Sequence, residues 1–177
     1  MFNDISFTSY IEQLSSNSPT PGGGNVSAIC GLLASSLGEM VCNLTIGKKK
    51  YVEVENEINL LKEKLLIQKD LFEKLADEDN LAFDKVMEAF KLPKNTDEEK
   101  LIRNNQIEIA TLKAMSVPFD VMKNCFELLE ALKIIATKGN KNSVSDAGVA
   151  VLLAQSGAKG AYLNVLINGS SLKHINS

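Results

Sequence analysis

The stretch that decides the fold is residues 18–51, SPTPGGGNVSAICGLLASSLGEMVCNLTIGKKKY. It opens with a turn in which Pro19 and Pro21 restrict the backbone and the next three residues carry no Cβ atom. These three residues are Gly22, Gly23 and Gly24. Asn25 follows the turn and is predicted to be the N-cap of a helix, because a side-chain amide oxygen can accept from an N–H of the first helical turn.

The run after this turn is predicted to be a buried helix. Its large apolar residues recur at helical spacing from Val26 onward, while its other faces carry small residues such as Gly31 and Gly38. A helix that is apolar or small on nearly all sides belongs in a core, where small residues let neighbouring backbones approach closely. Gly47 is positioned to end this helix. A compact cationic group follows, formed by Lys48, Lys49 and Lys50 and next to Tyr51.

Bulk composition indicates one ordinary globular domain over residues 1–177. The 177 residues are 45% hydrophobic and 23% charged, with a formal net charge of −3, so nucleic acid is not an expected partner. The run 26–46 approaches the length of a membrane span, but Glu39 and Asn43 within it argue for a core helix and no membrane partner. The chain shows no signal peptide and no paired cysteine spacing, which predicts a reducing, cytoplasmic location.

The rest of the chain predicts an all-α bundle. A short helix is expected after Ser6, followed by an uninterrupted helix over residues 52–90 with apolar residues at heptad spacing. The capping box of Thr96 and Glu99 predicts a helix to about residue 115, and Pro118 is interpreted as the start of a separate helix ending near residue 138. A last helix is predicted from about Ser145 to residue 168. It resembles the Gly-rich helix in its small residues, so the two are expected to pack together at the centre.

Asp79 is the first candidate for chemistry. It occupies a position on the heptad face of the long helix where a structural helix would keep an apolar residue. Burial of a carboxyl raises its pKa toward the range used in general acid–base catalysis. The alternative is a polar residue that fixes helix register or lies exposed at a bundle end. The neighbouring Asp77 and Glu78 are predicted to point away from this face into solvent.

Two further features could hold a ligand. Asp146 lies in the first turn of the last helix, where favourable interaction with the helix dipole is a sufficient explanation. The glycine turn offers backbone N–H donors at a helix N-terminus, although glycines equally serve close packing. Since His174 is the sole histidine and is predicted to lie in a loose tail, the sequence predicts no metal site and no histidine-based catalysis.

These motifs resemble the cyclodeaminase/cyclohydrolase family of folate enzymes. The resemblance rests on PTPGGG, LTIGKKKY, SDAGVAVLLA and LNVLIN, and it spans about residues 6–172. It implies an enzyme acting on the one-carbon unit at N5 and N10 of tetrahydrofolate, without a prosthetic group. Formiminotetrahydrofolate cyclodeaminase is the first reading, and methenyltetrahydrofolate cyclohydrolase or a non-catalytic folate-binding or partner-binding module are the alternatives.

The resemblance also implies site residues and a helical homodimer with folate sites near the interface. Asp79 and Asp146 are the expected proton-transferring or pterin-holding acids. The expected substrate-binding residues are Pro21, Gly22, Gly23, Gly24, Asn25, Lys48, Lys49, Lys50, Tyr51, Phe83, Ser145, Asn164 and Asn168. The chain departs from the family at Leu166, where an arginine is usual, and at Gly157 and Gly169, where bulkier residues are common.

Overall fold

Every long element of the protein is a helix, in a computed structural model that describes residues 5–175, with side chains through residue 172. The α-helices are α1 (Phe7–Leu14), α2 (Gly23–Thr45), α3 (Glu55–Phe90), α4 (Asp97–Lys138) and α5 (Val144–Ile175), and short 3-10 helices cover Lys49–Val54 and Lys141–Ser143. No strand occurs in the described range. The predicted all-α fold is therefore confirmed.

Helices α2 to α5 form a four-helix bundle. Helix α2 packs on α3 and α5, α4 closes the ring between them, and α2 also contacts α4 across the centre. Because Gly23 lies beside Asn164 and Ser27 lies beside Gly160, α2 and α5 run antiparallel. The N-terminal end of α2 therefore faces the C-terminal half of α5.

Small residues bring the central helices together, as predicted. A Cβ at Gly31 would collide with the ring of Phe72 on α3, and one at Gly157 would lie 2.9 Å from both the Cys125 sulfur and the Ser27 carbonyl oxygen. The fully buried face of α5 consists of alanines: Ala147, Ala150, Ala154 and Ala161. Some large apolar residues of α5 instead point away from the bundle, with Leu152 62% and Leu163 64% exposed.

The prediction of two helices on either side of Pro118 is wrong. Helix α4 runs through Pro118 without interruption. The carbonyl of Ala114, which proline cannot bond, accepts instead from the side chain of Asn168 on α5, at 2.8 Å. In this part of α4, Phe119 and Phe126 are exposed and Val121 and Cys125 are buried.

The prediction of a loose tail after residue 168 is also wrong. Helix α5 continues through Gly169 to Ile175, with the hydroxyls of Ser170 and Ser171 donating to the carbonyl of Ile167. The helix begins at Val144, one residue before the predicted start at about Ser145. The side chain of His174 lies outside the described residues.

Helix α2 begins earlier than predicted and without the expected cap. Gly22 is the N-cap residue, and having no side chain it makes no capping hydrogen bond to the first turn. Gly47, with a φ of +75°, follows the helix in the left-handed conformation that favours glycine. By length and composition α2 could cross a membrane, yet 56% of its most apolar segment is buried inside the bundle. In this fold α2 is a core helix.

Candidate functional site

A cavity of about 660 Å³ opens where α2 begins. The Gly-rich turn forms one wall, the second half of α3 forms another, and α4 and α5 complete it. Its lining residues are Pro19, Thr20, Gly22, Gly23, Gly24, Asp79, Phe83, Val86, Met87, Phe90, Thr111, Ala114, Asn164, Ile167, Asn168 and Ser171. Seven of the predicted site residues thus lie around one space: the three glycines, Asp79, Phe83, Asn164 and Asn168.

The carboxyl group of Asp79 lies directly against the backbone of Gly24. A Cβ atom at Gly24 would collide with both carboxyl oxygens, so only glycine permits this approach. Burial raises the pKa of Asp79 to about 6, although a hydrogen bond from the backbone N–H of Asn25 favours the ionised form and opposes this rise. Asp79 is the only ionisable residue among the described lining residues of the cavity. A carboxyl group with its pKa raised in this way, inside a cavity, is a candidate general acid or base.

Asn25 holds the start of α2 in place from behind this carboxyl group. The hydroxyl of Tyr10 on α1 donates to Asn25 Oδ1 at 2.9 Å, and Asn25 Nδ2 donates to the Ala76 carbonyl on α3 at 2.8 Å. The predicted N-cap is thus a buried bridge between three helices. Asn25 and Pro21 line a separate, smaller cavity of about 130 Å³, which also contains Asn80.

The lining of the large cavity is apolar with polar groups at a few points. Phe83, Met87 and Phe90 supply flat or flexible apolar surface along α3. Asn164 and Asn168 present amide groups on α5, and Thr111 adds a hydroxyl on α4. Such a cavity suits a flat heterocycle whose edge carries several hydrogen-bonding groups.

The remaining predicted site residues lie at the opposite end of the bundle. Lys48, Lys49 and Lys50 are exposed just after α2 ends, and Ser145 and Asp146 lie where α5 begins. Because α2 has 23 residues, this end is about 35 Å from the cavity along the helix axis. Within one chain, the structure does not bring Asp146 or the lysines to Asp79.

Tyr51 joins chain segments at this second end. Its hydroxyl accepts from the backbone N–H of Lys141 at 2.9 Å and lies 3.4 Å from Asn140 Oδ1. The backbone N–H of Asn140 in turn donates to the Thr45 hydroxyl at 2.9 Å. The contacts of Tyr51 in one chain are therefore those of a structural joint between α2 and α5.

Sequence reasoning missed much of the apolar lining, above all Val86, Met87 and Phe90. A signal for them was present, since positions 79, 83, 86 and 90 follow one helix face at steps of four, three and four. Ser171 was missed because the helix was predicted to end near residue 168, whereas Ile167 lies inside the predicted helix and has no polar group to mark it as a site residue. Leu166, at the position where the family usually has arginine, is half exposed and does not line the cavity.

No group of three or more histidine, cysteine or acidic residues that could hold a metal occurs within the described part of the chain. The chemistry available in the cavity is therefore that of one carboxyl group, two side-chain amides, hydroxyls and the backbone of the Gly-rich turn.

Fold and cavity together define a helical-bundle protein with a largely apolar cavity that contains one buried carboxyl group. The sequence matches the family described as formiminotransferase-cyclodeaminase over residues 6–176, and the chain belongs to that family. The resemblance inferred from the Gly-rich turn and the later motifs is confirmed.

Known relatives divide between two activities. A protein from Methylorubrum extorquens named methenyltetrahydrofolate cyclohydrolase is 46% identical over 97% of this chain and 83% of its own length. The mouse formimidoyltransferase-cyclodeaminase is 33% identical over 93% of this chain, which spans only 30% of that protein. A crystal structure of formiminotetrahydrofolate cyclodeaminase from Thermotoga maritima superimposes with a TM-score of 0.87 at 31% identity, over 99% of this chain and 85% of the other. These relatives favour the hydrolase, the alternative reading of the sequence, over its first reading, the deaminase.

Proposed function

We propose that the protein is a methenyltetrahydrofolate cyclohydrolase, which converts 5,10-methenyltetrahydrofolate and water to 10-formyltetrahydrofolate and a proton. The observation that carries this proposal is the cavity in which Asp79, with a pKa raised to about 6 by burial, lies against the Gly-rich turn. The 46% identity to the Methylorubrum hydrolase supports the choice of reaction.

The reaction needs a group that can both take and return a proton. A water oxygen bonds to the carbon that bridges N5 and N10 as that water loses a proton, giving a tetrahedral carbon. The bond from this carbon to N5 then breaks as N5 takes up a proton, and the remaining hydroxyl proton leaves as the formyl group forms on N10. A carboxyl with a pKa near 6 is mostly ionised at neutral pH yet returns a proton readily, so Asp79 suits both steps.

The cavity walls suit the rest of the substrate. The pteridine ring can lie along the apolar surface of Phe83 and Met87, with its amide edge toward Asn164. The N–H groups at the start of α2 favour negative charge in the adjacent carboxyl group, which balances the cationic methenyl carbon. Binding in this pose would hold the bridging carbon near Asp79.

The second candidate is formiminotetrahydrofolate cyclodeaminase, favoured by the similarity to the Thermotoga structure. In that reaction N10 attacks the formimino carbon on N5, and ammonia leaves after its nitrogen is protonated. It requires the same tetrahedral carbon and the same proton donor, so the cavity alone does not separate the two reactions.

Absorbance of the methenyl chromophore separates them. Purified protein is mixed with 5,10-methenyltetrahydrofolate in one cuvette and with 5-formiminotetrahydrofolate in another. Accelerated loss of the chromophore in the first is the expected result. Its appearance in the second, without accelerated loss in the first, would establish the deaminase instead. No change in either, together with binding of tetrahydrofolate by calorimetry, would leave only a folate-binding module.

We further propose that the protein works as a homodimer joined through α2 and α5. The outward face of α2 carries apolar residues at alternating steps of four and three, the spacing of a helix-pairing seam: Val26, Cys30, Leu33, Leu37, Met40 and Leu44. Leu33 is 49% exposed, and Leu152 and Leu163 on the neighbouring α5 are more exposed still. A second copy of the chain is a fitting occupant, because the seam is self-complementary under twofold symmetry.

Such a dimer would unite the two ends of the bundle. A twofold axis that runs perpendicular to α2 and passes beside its middle makes the two α2 helices antiparallel. The cavity of one subunit then lies toward the lysines and Asp146 of the other. The lysines could then attract the carboxylates of the substrate's glutamate tail, for which the described cavity lining has no cation.

Subunit mixing tests this arrangement. At low salt and with substrate below KM, the Asp79→Asn chain is expected to have low activity and the Lys49→Glu/Lys50→Glu chain a few-fold lower activity than wild type. Unfolded and refolded mixtures are expected to exceed the mean of the two variants, because one site of each heterodimer is then intact. A Lys64→Glu/Lys133→Glu variant, changed at exposed lysines away from both ends, is the charge control. A monomer in analytical ultracentrifugation, or no regain of activity on mixing, would refute the shared site.

We also propose that residues 1–177 act as one domain, in the cytoplasm, with folate as substrate and no prosthetic group. Family membership and the acid–base character of the cavity support the last two points. Fluorescence microscopy of the tagged chain and mass spectrometry of the native protein are the direct checks.

A further inference from the structure

Pro118 leaves a buried carbonyl group in the wall of the cavity without its normal partner. In an α-helix the carbonyl of Ala114 would accept from the N–H of residue 118, and proline has no N–H. Pro118 is fully buried and Ala114 is 8% exposed, so bulk water cannot readily take the place of that donor. An unsatisfied carbonyl at this position would weaken α4 where it lines the cavity.

Asn168 supplies the missing donor from another helix. Its Nδ2 atom donates to the Ala114 carbonyl at 2.8 Å, across the contact between α5 and α4. Both residues line the cavity. The bond therefore fixes the separation of two cavity walls and lets α4 continue through the proline.

Asn164, one turn earlier on α5, behaves differently. Its Nδ2 atom donates to the Gly160 carbonyl of its own helix at 2.9 Å, and no bond links it to α4. The two asparagines of the same motif thus line the same cavity, but only Asn168 bridges two helices. This contrast makes Asn164 a matched control.

We propose that Asn168 is a positioning residue that acts through the Ala114 carbonyl freed by Pro118, and that Asn168 and Pro118 work as a coupled pair. The pair sets the width of the cavity between α4 and α5. This role replaces the direct contact with substrate that the sequence suggested for Asn168. The effect on catalysis rests on the proposed function, whereas the coupling itself does not.

A double-mutant cycle tests the coupling in the full chain. Asn168→Leu removes the donor at similar volume, and Pro118→Ala restores the backbone N–H that can bond the Ala114 carbonyl. Alone, Asn168→Leu is expected to lower the folding equilibrium constant about tenfold. In the Pro118→Ala background the same change is expected to cost less than about threefold. Equal costs in the two backgrounds would overturn the proposal.

Kinetics distinguish positioning from contact with substrate. Asn168→Leu is expected to raise KM by a factor about ten times larger than the factor by which it lowers kcat. The reason is that the cavity wall moves while Asp79 keeps its place. Pro118→Ala should restore most of this loss. Asn164→Leu, the control, should show no such rescue. A KM defect of Asn168→Leu that persists undiminished beside Pro118→Ala would mean direct contact and would refute the role.

Two outcomes remain decisive if activity or folding is lost. If Asn168→Leu does not fold, recovery of folding by Pro118→Ala supports the pair and failure to recover refutes it. If no variant and no wild type turns over a folate, the proposed function fails, while coupling in urea unfolding still decides the role of Asn168.

Discussion

The sequence predicts site residues at both ends of the bundle, yet the two ends are built differently. At the end where α2 begins, a carboxyl group, a bare glycine backbone and two asparagines surround a cavity of about 660 Å³. At the end where α2 stops, Tyr51, Asn140 and Thr45 bond one another and close the structure. Within one chain, the polar motif at the first end therefore lines open space, whereas the bonded residues at the second end hold chain segments together.

The largest expected effect is on catalysis at the cavity end. Asp79→Asn keeps the shape of the side chain but cannot exchange a proton, so kcat should fall about 100-fold or more while binding of tetrahydrofolate persists. The matched change at the other end, Asp146→Asn, should lower kcat less than about tenfold, because Asp146 is expected near the substrate tail and not the reacting carbon. Absorbance assays of the methenyl chromophore measure kcat for both variants. Equal losses would remove the distinction between the ends.

Replacing one glycine at each end by alanine is expected to change the free energy of unfolding in opposite directions. Gly24→Ala drives a methyl group into the Asp79 carboxyl and should destabilise the fold by about 1–3 kcal/mol and abolish most activity. Gly148→Ala places a methyl group in open space on an exposed helical turn and should stabilise it by about 0.5–1 kcal/mol. Urea unfolding measures both. A destabilised Gly148→Ala protein would show an unrecognised contact at that end.

The pH dependence of stability should differ between wild type and Asp79→Asn. The pKa of Asp79 is about 6 in the folded protein, against 3.8 for an ordinary aspartate side chain, so the unfolded chain releases this proton first as pH rises. The stability of the wild type relative to Asp79→Asn is therefore fully present below pH 3.8 and is lost as pH rises through 6.

The size of this loss is about 2 kcal/mol, with allowance for the part of the side chain that water reaches. Urea unfolding of both proteins between pH 4 and 7.5, compared at each pH, checks it. A constant difference across this interval would mean that the Asp79 carboxyl is not desolvated.

The smallest effect is expected from the lysines. Lys49→Glu/Lys50→Glu should raise KM a few-fold at low salt, and the effect should shrink toward 0.5 M salt because exposed charges are screened. Kcat at saturating substrate should change little. A salt-independent loss of kcat would place these lysines nearer the reaction than the proposed dimer allows.

Local sequence signals predicted the helices but not always their ends. The heptad face of α3, the capping box of Thr96 and Glu99, and Gly47 all act within a few residues, and the structure contains each of them. The predicted helix break at Pro118 was wrong because the hydrogen-bond donor that the proline lacks is supplied by Asn168, fifty residues later. No local pattern encodes such a partner.

The site was predicted in part for the same reason. Asp79 stood out because it breaks an apolar face, and the glycines stood out as a cluster, but nothing local shows that they meet. Asn25 was predicted as a helix cap because its partners, Tyr10 and the Ala76 carbonyl, lie on other helices. Packing decides which face of α5 is buried: alanines face the crowded bundle centre, and Leu152 and Leu163 face outward.

The most direct test of the central claim is a crystal structure of the protein with 5-formyltetrahydrofolate, a stable analogue of the substrate. We expect the pteridine to lie in the cavity between α3 and α5, with its one-carbon group within hydrogen-bonding reach of Asp79. A folate bound elsewhere, for example in the groove beside Lys85 and Lys113, with the cavity at Asp79 empty, would contradict it.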